Sequence, residues 1–257
     1  MEHQPAHRRL WNAKYWACAI ALMASVPAQS APFSVSITVD NSYALFSGTL
    51  SAATGFVGSD PDWPSVDTYN FDLPTNAYLY VVTASDQSVA QGFLGQFTNP
   101  TTGTRFYSSD PAWQVMATGL GGRSAPYSGS AADLALLTQE IQDANAGGNP
   151  SLGWVGLTAG GSNGSSPWGF LSGIDAAAKW TWYAGGNCNK FNPTQGGCDA
   201  GEWLVFRIAV AATPENPIPD QNGSAGTVPL PGSIGLLGLG VLAAFSLQSV
   251  RRRLAAS

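Results

Sequence analysis

Few residues in this chain can do chemistry, and their placement narrows the options at once. The two histidines, His3 and His7, sit at the very start, so residues 31–227 contain none. That excludes Ser-His-Asp triads, Cys–His pairs and His-ligated zinc from this stretch. Carboxylates, tyrosines and lysines are what remains. Asp199 and Glu202 form a close pair, and Asp175 stands alone. A carboxylate-dependent glycan hydrolase or lyase needs two such groups about 5 to 10 Å apart. With fifteen acidic residues between positions 31 and 227, sequence spacing singles out no pair, and no catalytic residue is assigned.

Other side chains point to binding and to cross-linking. Trp63 follows Asp60-Pro61-Asp62 and Trp168 follows Ser165-Ser166-Pro167, loop contexts in which an exposed ring stacks on the apolar face of a sugar. These two are the candidate glycan-binding residues. Trp113, Trp180, Trp182 and Trp203 lie in strand-like runs and are assigned to the core. Asp60, Asp62 and Asp67 offer oxygen ligands for a structural calcium ion, although the glycine and terminal glutamate of an EF-hand loop are missing. No other cofactor is implied. Cys188 and Cys198 lie in the run GGNCNKFNPTQGGC and are expected to form one local disulfide in an oxidising compartment.

The elements that must position these residues are mainly strands. Residues 33–39 (FSVSITV) alternate, and 43–50 follow a turn at Asp40-Asn41-Ser42. Further strands are expected over 78–84 (YLYVVTA), 92–97, 105–107, 113–118, 180–183 and 203–211. The last two would be joined by the cysteine loop into a hairpin-like unit. Turn signals at short intervals predict an all-β fold, a β-sandwich or jelly roll, spanning residues 31–211. One peripheral α-helix over about 130–146 interrupts it. Ser130 caps this helix, Leu134, Leu137, Ile141 and Ala144 share one face, and Gly147 and Gly148 end it. It is expected to cover the sandwich at one edge. A second short helix is expected around 174–178.

The ends carry a different signal. Residues 1–30 read as a secretory signal peptide: Arg8, Arg9 and Lys14 precede an uncharged run over 15–26, with Ala28-Gln29-Ser30 as the cleavage triplet. Residues 212–227 are a linker rich in proline, glycine and asparagine. Then come Val228-Pro229-Leu230-Pro231-Gly232, an apolar run over 234–250, and Arg251, Arg252 and Arg253. A helix over that run is about 26 Å long, a short transmembrane span. The arginines favour a cytoplasmic C-terminus. Residues 31–227 carry only five basic side chains, scattered through the chain, which excludes nucleic acid as a partner.

Proline motif, span and arginine cluster, in that order over 228–253, resemble the PEP-CTERM sorting signal of Gram-negative bacteria. Leu230 stands where that family usually carries glutamate. The resemblance implies an exosortase-type membrane enzyme as a transient partner. It also implies an inner-membrane precursor with a periplasmic domain, then delivery to the cell surface or medium in association with polysaccharide. Within residues 33–210, Asp40-Asn41-Ser42-Tyr43-Ala44-Leu45-Phe46, Lys179-Trp180-Thr181-Trp182 and Phe206-Arg207 resemble motifs of galactose-binding-like jelly rolls attached to carbohydrate-active enzymes. The expected function is that of a non-enzymatic envelope or exopolysaccharide-associated protein. The alternatives are the carboxylate enzyme above and a purely structural matrix component.

Overall fold

The computed structural model describes residues 30–74, 76–121, 127–148, 153–184, 191–192 and 201–210. Residues 1–29, Cys188 and Cys198, and everything from residue 211 onward, including the expected span over 234–250, lie outside the described residues. Among the described residues no helix is long and apolar enough to cross a membrane.

The described residues form, in order, β1 (Ser30–Asp40), β2 (Ser42–Thr49), β3 (Ala52–Asp60), β4 (Asp67–Pro74), β5 (Tyr78–Ala84), β6 (Gly92–Thr98), β7 (Arg105–Tyr107), β8 (Gln114–Ala117), α1 (Ala131–Asn145), β9 (Leu157–Ser162), β10 (Lys179–Tyr183) and β11 (Leu204–Ala209). They build two antiparallel sheets. One has the order β4-β1-β6-β10-β9, with β7 also pairing with β6; the other runs β3-β2-β5-β11-β8. The chain passes repeatedly from sheet to sheet, as in a jelly roll. At Asn41 it crosses between β1 and β2 in a single residue, whose N–H bonds to the Ala84 carbonyl at 3.2 Å.

Alternation along β1 explains the interior. Phe33, Val35, Ile37 and Val39 point inward and meet Tyr43, Leu45, Leu79, Val81 and Phe206 from the second sheet. Phe93, Phe97, Phe106 and Trp113 fill the centre, with Phe97 stacked on Phe106 at 5.0 Å and Phe93 edge-on to Trp113 at 5.4 Å. Offset and edge-to-face arrangements of this kind add about 0.5–1.5 kcal/mol per pair beyond simple burial.

The outer faces are covered as well, which gives β5 and β11 their almost uninterrupted burial. Over the second sheet lies α1, with Leu137, Ile141 and Ala144 packed on Ala44, Phe46, Tyr80, Val82, Met116 and Val205. The helix lies closest to the edge strand β3, where Thr138 Oγ1 donates to Ala53 O at 3.3 Å, and its apolar stripe reaches from there over the outward face of the sheet. Ser130 Oγ accepts the Asp133 N–H at 3.1 Å and caps the first turn. At the other end Gly147, at φ 72°, closes a Schellman motif: its N–H bonds to Ala144 O at 3.1 Å and the Gly148 N–H to Asp143 O at 2.9 Å.

Two further expectations are corrected. Residues 174–178 form turns instead of a helix, with the Ala177 N–H bonded to Asp175 Oδ1 at 2.9 Å. Strands β10 and β11 are not a hairpin: β10 pairs with β6 and β9, whereas β11 pairs with β5 and β8 in the opposite sheet. The two strands thus belong to different sheets.

Candidate functional site

The outer face of the first sheet is covered by the loop of residues 163–178, between β9 and β10. Asn163 braces this loop: its Nδ2 donates to Leu171 O at 2.9 Å and Ile174 O at 2.8 Å, and its Oδ1 accepts the Leu171 N–H at 2.9 Å. The loop carries Trp168 onto Trp180, with centroids 4.1 Å apart and planes within 17°. Trp63, from the turn between β3 and β4, meets Trp180 at 5.9 Å and 73°. Leu94, Ile174 and Ala178 complete the cluster. Gly92 makes this packing possible, because a Cβ there would lie 2.8 Å from the Trp180 ring and 3.1 Å from Trp168.

Asp40, the last residue of β1 and the partner of Gly92 in the ladder, lies at the rim of this cluster. It is 7% exposed, and Oδ2 accepts the Trp168 Nε1–H at 2.7 Å. Burial pushes its carboxyl up to about 6; the Trp168 bond opposes the rise, and the negative charge of Asp86 adds to it. Sequence reading missed this carboxyl. Val39 points inward, so Asp40 belongs to the outward face, where an acid normally meets water; only the incoming loop buries it.

The other candidates are scattered. Trp168 is buried, at 9% exposure, so the expected free ring is a packed one. Trp63 is half-buried, and among the described residues Phe170, in the 163–178 loop, is the aromatic ring most open to solvent, at 64% exposure. Asp60 Oδ1 accepts the Asp62 N–H at 3.0 Å, and its Oδ2 accepts the Ser65 hydroxyl. Asp67 Oδ2 accepts the Tyr43 hydroxyl at 2.8 Å, and Tyr69 Oη lies 3.0 Å from Tyr43 Oη. Burial, with these bonds behind it, pushes the Tyr43 hydroxyl pKa up. Asp62 stays exposed. Among the described residues no three His, Cys, Asp or Glu side chains are grouped to hold a metal ion, so Asp60, Asp62 and Asp67 are not brought together as a calcium site.

The acids considered for catalysis also have structural partners. Asp175 pairs with Arg105 at 3.3 Å, and Glu202 Oε2 accepts the Gly119 N–H at 3.0 Å. Asp199, Cys188 and Cys198 lie outside the described residues. Between the two cysteines, the Phe191 ring stands 6.1 Å from Trp168 at 83°, and its carbonyl accepts the Gln91 N–H at 3.1 Å.

A family model described as the PEP-CTERM protein-sorting motif matches residues 227–253. No curated protein and no solved structure matches the chain. The matched stretch takes in Val228, Pro229, Leu230, Pro231 and Gly232, the apolar run, and Arg251, Arg252 and Arg253, all outside the described residues. PEP-CTERM signals are recognised by exosortase, a membrane enzyme. The chain carries a PEP-CTERM protein-sorting motif at residues 227–253, which implies export and membrane-anchored sorting.

Proposed function

We propose that the sandwich is a non-enzymatic envelope or matrix component, held at the inner membrane as a precursor with its domain in the periplasm, then delivered outside in association with exopolysaccharide. The observation that carries this reading is the sorting motif at 227–253. The lack of histidine between residues 31 and 227 supports the non-enzymatic part, as do the structural bonds of Asp60, Asp67, Asp175 and Glu202. For sugar stacking, Trp63 and the exposed Phe170 take the place of Trp168, whose ring is occupied by Trp180.

Replacing Pro229 and Pro231 by alanine tests the sorting step. The double variant is expected to accumulate as unprocessed, membrane-bound precursor on an immunoblot of fractionated cells. A variant that matures at the wild-type rate would show that no enzyme reads the prolines.

The export route also leads to a disulfide between Cys188 and Cys198. Closing a loop of about 11 residues limits the unfolded chain by about 3 kcal/mol in the chain-entropy model. Because β10 and β11 lie in different sheets, the bridge would fasten a crossover between the two layers. The double serine variant is expected to melt several degrees lower. Mass spectrometry of the non-reduced exported protein checks the bond itself, and two alkylatable thiols in the native product would overturn it.

A further inference from the structure

The attachments that hold the 163–178 loop on the sheet include the Trp168–Trp180 stack at 4.1 Å, the Trp168–Asp40 bond at 2.7 Å, the Arg105–Asp175 pair at 3.3 Å, a bond from the Asp175 N–H to Gln96 Oε1 at 3.0 Å, and the packing of Ile174 and Ala178 in the tryptophan cluster. Stacking and the amide bond do not respond to pH near neutrality. The Arg105–Asp175 pair is about a third exposed, so solvent screens it. The Asp40 contact is different in kind. A carboxyl 7% exposed lies under the loop, with the Asp86 carboxylate of the 85–91 turn acting on it and no cation among the groups that shift it. Beside Asp86, the residues set against it are Gly92, its ladder partner on β6, and Trp168 from the loop, neither of which titrates.

We propose that residues 163–178 form a pH-sensitive latch, closed over Trp180 while Asp40 is protonated and released toward solvent as Asp40 ionises. A buried carboxylate facing a second carboxylate gains hydration when the loop above it lifts, whereas a neutral carboxyl gains little. Burial with the loop closed holds the Asp40 carboxyl up at about 6; lifting the loop brings it down toward the ordinary carboxylate range of about 4. Closing therefore takes up a proton. The closed-to-open ratio is highest at pH 4 and below, falls as pH rises through 6, and at neutral pH has dropped by about a hundredfold. The Trp168 N–H moderates this effect, since it donates to the charged form as well. Release uncovers the Trp168 and Trp180 faces and Leu94, an apolar surface that the closed loop hides.

Hydrogen exchange followed by mass spectrometry on the full-length chain in detergent reads the latch directly, with rates corrected for the intrinsic pH dependence of exchange. Peptides over 163–174 are expected to lose protection by about a hundredfold between pH 4 and pH 7.5. Peptides over β5 serve as the core reference. Asp40→Asn should flatten the pH profile of the loop. Trp168→Phe keeps the stack but removes the donor that favours the ionised carboxyl, so it should move the transition to higher pH. Loop protection that is the same at both pH values in the wild type would overturn the latch, as would an unchanged profile in Asp40→Asn. An equal loss over β5 would mean global loosening and would overturn it too.

Discussion

Deleting residues 228–257 is expected to move the sandwich quantitatively from the membrane fraction to the periplasm or the medium. The apolar run over 234–250 is long enough to cross a thin hydrocarbon core, and Arg251, Arg252 and Arg253 resist being pulled through it. On an insertion scale an arginine at the bilayer centre costs about 2.5–3.5 kcal/mol, against a gain of about 0.3–0.6 for each leucine, isoleucine, phenylalanine or valine. Three arginines together therefore make a firm stop. Among the described residues no helix is long and apolar enough to cross a membrane, and the large exposed apolar side chains are Leu50, Phe56, Val89, Leu120, Leu136 and Phe170. Cell fractionation with antibody against the domain measures the outcome. A truncated chain that stays with the membrane would mean that another segment, the uncleaved leader first of all, does the anchoring. A C-terminal tag on the full-length chain separates processing from permanent anchoring, since the tag is lost in the first case and reaches the surface in the second.

Strands buried on both faces were the easiest to read. Residues 78–84 form β5 with the limits that YLYVVTA suggests, because every position from Leu79 onward packs against something. Residues 105–107 and the helix also appear where expected; Ser130, the Leu137–Ile141 stripe and Gly147 each have a local reason to be there. Strands β3, β4 and β9 were missed for two different reasons. AATGFVGSD and LTAGGS lie at sheet edges, where half the side chains face water and small residues suffice. DTYNFDLP does alternate, with Tyr69, Phe71 and Leu73 packed against the core while Asn70 and Asp72 are exposed, so its period was available in the sequence.

The site was less legible than the fold, for a physical reason. Whether Trp168 is free or packed depends on two distant strands: on β1, 128 residues earlier, Asp40 accepts its N–H, and on β6 Gly92 leaves room for its ring. Loop context at Ser165-Ser166-Pro167 contains neither fact. Asp60 and Asp67 read as ligands because each is an acid near a turn; in the fold one holds that turn together and the other takes a hydroxyl from Tyr43. The sorting tail needed no tertiary information. Proline motif, span and arginines act in order along the chain, before any folding, and a linear signal is what a linear reading finds.

Arg207→Ala is expected to be among the most destabilising substitutions in the sandwich. Arg207 pairs across β11 with Tyr80 on one side and Gln114 on the other, and its guanidinium is carried outward beneath the end of α1. It is 7% exposed, yet the side chains around it are neutral: Gln114 Oε1 accepts from Nε at 3.0 Å and from Nη2 at 2.9 Å, Asn145 Oδ1 accepts from Nη1 at 2.6 Å, and the Trp154 ring lies 3.7 Å from Cζ. Burial lowers its pKa, but a guanidinium keeps its proton at any working pH. What compensates the buried charge is a set of dipoles: two amide oxygens, an aromatic face, and the partial negative charge at the C-terminus of α1, where Asn145 sits. Asn145 ties the arrangement together, since Oδ1 also accepts the Trp154 N–H at 2.9 Å and Nδ2 donates to Leu50 O at 3.0 Å. Truncation to alanine removes the ring contact and three charge-assisted bonds and leaves the Gln114 oxygen unpaired, a loss of about 4 kcal/mol. At about 2–4 °C per kcal/mol for a domain of this size, the melting temperature falls by about 8–16 °C. Arg207→Lys separates charge from shape. It keeps the cation and the helix-end attraction but loses the fork on Gln114 and the flat overlay on Trp154, so it should recover only about half of the loss. A lysine variant as stable as the wild type would show that charge alone suffices and that the fork contributes nothing. A double-mutant cycle with Asn145→Ala then measures the part that runs through the helix, and a coupling below about 0.5 kcal/mol would mean that Arg207 does not hold α1 to the sheet.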